Sequence, residues 1–225
     1  MHAKDIAEVL TYLLNQKLIQ INGSEPFKLS SGIISPIYTS IKDVVGYPQI
    51  RRKIKLALAN KVQEMGDFDL IMGIPMGGYG FGLLVADELD LPFSYIREET
   101  KKHGLQKQIQ GLDDLKNKKI MVVDDVLTKG TTSTKSIRRI KEENPAKVDF
   151  CSVFSYEMKS MYDNFKEIGI TPNSLIRMDL ITLEILEDLF KPEDLEILLN
   201  FIKDPDNWTP KIINDSKEIE QPYGC

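Results

Sequence analysis

Two adjacent acidic residues, followed by a short loop of glycine and hydroxyl residues, form the part of this sequence best suited to chemistry. Asp124 and Asp125 end the apolar run Ile120–Val123, which is short and branched enough to be a buried strand. A helical pattern begins at Ser133. Ligands of open parallel sheets bind at the carboxyl ends of the strands, so we expect Asp124 and Asp125, here called the acidic pair, to face a ligand.

The segment Thr128–Thr132, here called the phosphate loop, is suited to hold an anion. Gly130 tolerates the positive φ of an anion-binding turn, and the next helix presents its positive end to the same place. Carboxylates do not bind phosphate, but they suit hydroxyl groups or a divalent metal. The ligand should therefore carry a phosphate, a sugar and Mg²⁺. Two aspartates alone would fit an acidic turn that caps a helix; the strand before them and the loop after them favour the binding site.

A second glycine-rich turn is the other candidate for contact with phosphate. Residues Gly73–Gly80 follow an apolar run and precede a helical pattern, where backbone N–H groups can face an anion. Within this segment, Met76–Gly78 is called the glycine turn below. The segment Gly73–Gly80 lacks the third glycine of a dinucleotide-binding fingerprint, and the sequence contains no Walker loop. A tight connection without a ligand is the alternative for this turn alone.

The composition is that of a globular protein without an extended basic surface. The chain has 225 residues, of which 42% are apolar and 28% are charged, and its formal charge is −5. This balance argues against a chain-wide surface for nucleic acid or for an anionic membrane. The first residues do not build a signal peptide, and no apolar run approaches the ~20 residues that span a bilayer. Cys151 and Cys225 form no disulfide framework, so we expect a cytoplasmic protein with Cys151 in its core.

Apolar periodicity predicts helices and strands in alternation, which indicates an α/β fold with a parallel sheet. Extended segments are expected over residues 27–42. After Asp179 the pattern becomes helix on helix, and Trp208 is expected to anchor the tail by packing. The predicted helices are 1–18, 48–65, 79–89, 133–144, 158–168, 182–190 and 192–203, and the predicted strands are 70–74, 93–97, 119–123, 148–154 and 174–178.

Three segments resemble a known enzyme family. Val122–Thr132 resembles the phosphoribosyl-pyrophosphate signature of type I phosphoribosyltransferases, which does not specify the base. Tyr95–Gly104, followed by Ile109–Gly111, resembles the mobile catalytic loop of orotate phosphoribosyltransferases, and Phe27–Tyr38 resembles their base-binding segment. The resemblance implies one type I phosphoribosyltransferase domain over residues 1–225. Its parts would be an N-terminal helix and hood segment (1–45, here called the hood), an α/β core (46–180), and C-terminal helices with a tail (181–225).

The resemblance also implies an activity and roles for residues. The activity is Mg²⁺-dependent transfer of ribose 5-phosphate from phosphoribosyl pyrophosphate to orotate, in a homodimer whose loop 97–111 reaches into the partner's site. Mg²⁺ would be carried by the substrate, with no firm protein ligand. The implied catalytic residues are Lys101, His103, Asp124 and Asp125. Phosphoribosyl pyrophosphate would contact Arg97, Lys101, His103, Asp124, Asp125, Val126, Leu127, Thr128, Lys129, Gly130, Thr131 and Thr132, and its pyrophosphate the backbone of Met76, Gly77 and Gly78. Orotate would contact Ser30, Tyr38 and Thr128.

The segment 97–111, here called the basic loop, has an electrostatic reason to act in such a reaction. Pyrophosphate leaving an anomeric carbon develops negative charge that cations and Mg²⁺ offset, and a closing loop excludes water. The run of charges taken by itself would also fit a solvent-exposed loop with no role in catalysis.

The sequence departs from the family pattern in three places. The glycine turn has no lysine, Glu98 stands where some relatives have a second cation, and Ser30 and Glu157 stand where some relatives have basic residues. Two alternatives therefore stay open. The base could be a purine or another pyrimidine, or the chain could be a non-catalytic sensor of phosphoribosyl pyrophosphate.

Overall fold

The computed structural model describes residues 3–23, 25–29, 31–97, 108–112, 114–179 and 192–209. A short 3₁₀ helix, Ile41–Gly46, joins the N-terminal segment to the core. In chain order the other elements are α1 (Ala3–Asn15), β1 (Ile19–Ile21), β2 (Phe27–Lys28), β3 (Ile34–Ser35), β4 (Ile37–Thr39), α2 (Pro48–Met65), β5 (Leu70–Gly73), α3 (Gly77–Leu89), β6 (Phe93–Ile96), β7 (Ile109–Gly111), β8 (Lys119–Leu127), α4 (Thr131–Lys141), β9 (Lys147–Ser155), α5 (Lys159–Glu167), β10 (Asn173–Arg177) and α6 (Pro192–Lys203).

A six-stranded sheet in the order β10-β9-β8-β5-β6-β7 lies at the centre. Its neighbouring strands are parallel, except that β7 pairs antiparallel with β6 at one edge. Leu70–Met72 of β5 and Ile120–Val123 of β8 are fully buried. Such continuous apolar runs are typical of parallel strands covered on both faces. Helix α3 packs on β5 and β8, α2 packs beside α3, and α4 packs on β8 and α5.

Strand β8 extends beyond its neighbour β5, and this difference in length shapes the site. The pairing of β5 with β8 ends at Gly73 and Val123, whereas β8 continues to pair with β9 as far as Leu127 and Ser155. The acidic pair therefore lies on a stretch of β8 that has β9 on one side only. The chain that leaves β5 can turn into the space on the other side.

The hood consists of α1 and two small antiparallel ladders, β1 with β4 and β2 with β3. Helix α6 buries Leu198 and Phe201, and the ring of Trp208 packs edge-on against Phe201 with 5.8 Å between centroids. The expected packing role of Trp208 is confirmed for the residues described. No helix in the described segments is both long and apolar enough to cross a lipid bilayer.

The alternating pattern of the core is confirmed, and several of its details need correction. The prediction that a strand ends at Val123 is wrong, because β9 offers pairing partners to Asp124, Val126 and Leu127. The sheet is not wholly parallel, since Ile109–Gly111, expected within a polar loop, forms the antiparallel strand β7. Cys151 is buried, as expected. The predicted helix 182–190 lies outside the described residues. Among the helices, α1 ends at Asn15, α3 begins at Gly77 and α4 begins at Thr131, each two or three residues from its predicted bound.

Candidate active site

The acidic pair lies at the carboxyl end of the sheet, and its first member is held by two hydrogen bonds. Asp124 is 5% exposed. Its Oδ2 accepts from the hydroxyl of Ser133 at 2.9 Å, and its Oδ1 accepts from the backbone N–H of Asp125 at 2.9 Å. Ser133 lies in the first turn of α4, one residue past the predicted phosphate loop. Sequence reasoning missed this contact, although a serine at a helix start is a common hydrogen-bonding position.

The electrostatics of the pair are set by burial. Burial raises the pKa of the Asp124 carboxyl well above its usual range, and the neighbouring charge of Asp125 raises it further. The bond from Ser133 opposes this shift, because it stabilises the ionised carboxylate. An uncompensated buried carboxylate is costly, so the site is suited to a ligand that donates hydrogen bonds or carries positive charge.

The glycine turn lies directly against the acidic pair. A Cβ atom at Gly77 would lie 2.1 Å from Cγ of Asp125, and one at Gly78 would lie 2.3 Å from the carbonyl oxygen of Val123. Only glycine permits this approach. Helix α3 begins here, so its first backbone N–H groups lie close to the carboxylates, and Met76 at its start is 75% exposed.

The phosphate loop has the geometry expected of an anion-binding turn. Gly130 adopts φ 71°, a left-handed conformation that favours glycine. The amide of Thr134 donates to the carbonyl oxygen of Gly130 at 2.8 Å, so the amides of Thr131 and Thr132 precede the first bond of α4. Both threonines are exposed. The side chain of Asn164 in α5 donates to the carbonyl oxygen of Lys129 at 2.8 Å and fixes the loop from behind.

The basic loop is described only at its two ends, which are tied together beside the glycine turn. The backbone N–H of Arg97 donates to the carbonyl oxygen of Gln108, and the side chain of Gln108 donates to the carbonyl oxygen of Arg97, each at 3.0 Å. The hydroxyl of Tyr79 in α3 donates to the carbonyl oxygen of Ile96 at 2.7 Å. Glu98, Lys101, Lys102, His103 and Lys107 lie outside the described residues.

In the hood, Tyr38 is half-buried and packs against Phe27 with 5.6 Å between ring centroids. Ser30 lies outside the described residues. The neighbouring hydroxyl of Ser31 is buried and has no hydrogen-bond partner in the described part of the chain. Buried polar atoms rarely lack a partner in native proteins, so this hydroxyl is a candidate ligand contact that sequence reasoning missed. The only signal for it was the pair of adjacent serines in the segment.

Glu157, which stands where some relatives have an arginine, is engaged with other side chains. It accepts a hydrogen bond from the hydroxyl of Tyr162 and lies 3.4 Å from Nε of Arg177. In the described parts of the chain, no three His, Cys, Asp or Glu side chains converge on a point that could hold a metal ion. The acidic pair alone is suited to assist a metal that is held mainly by a ligand's own oxygens.

The structure thus brings most of the described candidate residues to one edge of the sheet. The acidic pair lies near the end of β8 and the phosphate loop follows that strand, the glycine turn follows the adjacent β5, and Arg97 follows β6. Tyr38 lies in β4 of the hood, which is not part of the central sheet.

Comparison with known proteins agrees with this arrangement. A family model of the phosphoribosyl transferase domain matches residues 40–173. The orotate phosphoribosyltransferase of Streptococcus sanguinis is 34% identical over 203 residues, which cover 89% of this chain and 97% of that protein. The solved orotate phosphoribosyltransferase of Francisella tularensis has a TM-score of 0.69 at 17% identity and covers 87% of this chain and 98% of its own. A UMP synthase structure from Leishmania donovani has a TM-score of 0.74 at 20% identity and covers 88% of this chain but 42% of that longer one. The structures support the fold and the sequence relatives show the family: this chain belongs to the orotate phosphoribosyltransferases.

Proposed function

We propose that this protein transfers ribose 5-phosphate from phosphoribosyl pyrophosphate to orotate, giving orotidine 5′-phosphate and pyrophosphate, a step of pyrimidine synthesis. The observation that carries the proposal is the contact between Gly77 and the Asp125 carboxylate. Through it, an acidic pair suited to sugar hydroxyls lies between two turns suited to phosphates, as a sugar phosphorylated at both ends requires.

The acidic pair and the phosphate loop bind the ribose 5-phosphate. Asp124 and Asp125 accept hydrogen bonds from the ribose hydroxyls, which relieves the cost of burying Asp124. The free amides at the start of α4 and the exposed hydroxyls of Thr131 and Thr132 bind the 5′-phosphate, together with the backbone of the loop. The acidic pair also stabilises positive charge that develops on the sugar in the transition state.

The reaction exchanges one bond at the anomeric carbon for another. The bond to pyrophosphate breaks and its electron pair leaves with the pyrophosphate, while a ring nitrogen of orotate forms the new bond and gives up its proton. Backbone N–H groups of the glycine turn, with Arg97, Lys101 and His103 of the basic loop, stabilise the negative charge on the leaving group. The glycine turn has no lysine, so pyrophosphate contact there rests on the backbone of Met76, Gly77 and Gly78.

Mg²⁺ belongs to this proposal as an ion carried by the substrate. When bound, it neutralises part of the charge of the pyrophosphate. The acidic pair offers the carboxylate oxygens that Mg²⁺ prefers, while the remaining ligands would be oxygens of the substrate and water. Calorimetric titration with phosphoribosyl pyrophosphate checks this point: binding should weaken when EDTA removes divalent ions.

The base is bound between the hood and the phosphate loop. Orotate carries a carboxylate and two ring carbonyls, so its pocket needs donors. We assign these to Ser30, Tyr38 and Thr128, with backbone groups of the hood, and add the Ser31 hydroxyl, which has no partner among the described residues. Glu157 takes no part, because it is engaged by Tyr162 and Arg177.

The test of the proposed function is pyrophosphate release with a panel of bases. Phosphoribosyl pyrophosphate is incubated with orotate, uracil, adenine, guanine or hypoxanthine in the presence of Mg²⁺. Of these bases, only orotate should support rapid release of pyrophosphate. Rapid pyrophosphate release with a purine and none with orotate would show that the substrate is a different base. Tight binding of phosphoribosyl pyrophosphate without pyrophosphate release in the presence of any base would favour a sensor.

A further inference from the structure

Tyr156 links two parts of the molecule that lie far apart in the sequence. It follows strand β9, and its backbone N–H donates to the carbonyl oxygen of Leu127 at 3.0 Å. Leu127 is the residue before the phosphate loop. The backbone of Tyr156 is therefore fixed to the point from which the phosphate loop departs.

The side chain of Tyr156 extends from this point to the hood. Its hydroxyl donates to the carbonyl oxygen of Ile37 at 3.3 Å and lies 3.4 Å from Oγ1 of Thr39. Because a carbonyl oxygen only accepts, the tyrosine proton goes to Ile37 and the Thr39 hydroxyl is left to donate to the tyrosine oxygen. Both partners belong to β4 and flank Tyr38, which the proposed function places at the base.

The ring of Tyr156 is held tightly enough to act as a fixed support. It is 1% exposed and packs edge-on against Phe154 and Phe201, with 5.3 Å and 6.4 Å between centroids. Phe201 is in turn supported by Trp208. Aromatic pairs of this geometry add to the stability gained by burial, so the ring cannot shift without disturbing α6.

From these contacts we propose that Tyr156 is a positioning residue that holds strand β4 of the hood at a fixed distance from the phosphate loop, and so determines the affinity for the base. The inference rests on the proposed function, in which the hood binds the base and the phosphate loop binds the ribose 5-phosphate. Tyr156 contacts the hood and the residue directly before the phosphate loop, and its effect on the base acts through β4 rather than through contact with substrate.

The test is the variant Tyr156→Phe, which keeps the ring and its aromatic contacts but removes the hydroxyl. Loss of one buried hydrogen bond is expected to raise the KM for orotate ~3–10-fold. The KM for phosphoribosyl pyrophosphate should stay within about twofold, because the backbone bond to Leu127 remains. Amide hydrogen exchange over residues 37–39 should become faster in the free protein. Tyr162→Phe is the matched control: it removes a tyrosine hydroxyl bonded to Glu157, outside the hood, and should change none of these quantities.

A second variant, Thr39→Val, removes a hood partner without changing the core and should raise the KM for orotate in the same direction. Equal increases in both KM values, or unchanged KM values with unchanged exchange over residues 37–39, would overturn the inference. Should the unsubstituted protein fail to turn over orotate, the proposed function fails instead. Exchange over residues 37–39 would then still decide whether Tyr156 holds the hood.

Discussion

Glycine at position 77 determines how closely the glycine turn approaches the acidic pair. A methyl group there would lie 2.1 Å from Cγ of Asp125, far inside van der Waals contact. The crowded atoms belong to the end of a side chain, so Asp125 would move before the sheet did. A substitution at position 77 should therefore disturb the site more than the fold.

Gly77→Ala is expected to reduce turnover at least ~10-fold, because a displaced Asp125 no longer meets the ribose in its reactive geometry. The melting temperature should change by only a few degrees, roughly what ~1 kcal/mol produces in a chain of this size. Gly46→Ala is the control, since in the described part of the chain nothing beyond its own local backbone lies within 4 Å of a Cβ placed there. Full activity in the Gly77→Ala protein would mean that the position of Asp125 is unimportant.

Asp124 makes the free protein less stable at neutral pH than it would be with a neutral side chain. Its pKa is raised by burial and by Asp125, so the folded state holds a proton more tightly than the unfolded state does. Stability is therefore greatest below the unfolded pKa and falls as pH rises towards the folded pKa. Above the folded pKa the full cost of the buried charge is present.

Asp124→Asn should therefore raise the melting temperature of the free protein at pH 7 while removing most of its activity. The gain in melting temperature should shrink as pH falls towards about 4, the range of an ordinary aspartate, because Asp124 is then neutral in the unfolded state as well as in the folded state. Thermal unfolding from pH 4 to 8, without substrate, measures this. A lower melting temperature for Asp124→Asn at pH 7 would show that Asp124 stabilises the fold.

At the scale of elements, periodicity in the sequence predicted the order of helices and strands in the core and both ends of α2, but it misplaced the ends of several other elements. Residues 124–127 belong to β8 because β9 pairs with Asp124, Val126 and Leu127, and a polar pair in a single sequence carries no sign of that partner. Strand β7 was missed because it has three residues in a polar segment, too few for a period of two to be visible. The motifs located the acidic pair and both turns. The contacts of Ser133 and Tyr156, and the burial of the Ser31 hydroxyl, depend on how separate segments pack, which local patterns do not encode.

The basic loop is the element whose role is assigned from sequence alone. Lys101→Ala is expected to lower kcat by at least ~100-fold and the affinity for orotate by less than about threefold, because its charge is needed only as pyrophosphate departs. Lys116→Ala, an exposed lysine outside the proposed site, serves as the control. Unchanged turnover in the Lys101→Ala protein, measured at saturating substrates, would remove this lysine from the mechanism.

At the scale of the whole molecule, the proposed site draws on three separate parts of the chain. In the proposed function, the hood would bind the base, the α/β core would bind the ribose and its phosphates, and the basic loop would stabilise the leaving group. The net charge of −5 makes the cations of this loop a local feature. In the proposed homodimer the loop of one subunit completes the site of the other, so a single subunit would lack its own cations.

Mixing two inactive variants tests this exchange of loops. Lys101→Ala lacks the cation and Asp125→Asn lacks a carboxylate, so with a loop that acts across the dimer a mixed dimer has one site with both defects and one with neither. If the loop acts across the dimer, an equimolar mixture after subunit exchange should recover about a quarter of the original activity. If the loop acts within its own subunit, every site keeps one defect and no activity returns.

The most direct measurement of the central claim follows orotate absorbance after addition of phosphoribosyl pyrophosphate and Mg²⁺. The proposed function predicts that the absorbance falls only when both are present, with one pyrophosphate released per orotate consumed, and that Asp125→Asn nearly abolishes the change. A constant absorbance with the unsubstituted protein, while phosphoribosyl pyrophosphate binds, would contradict transfer to orotate. An undiminished rate in Asp125→Asn would contradict the role of the acidic pair.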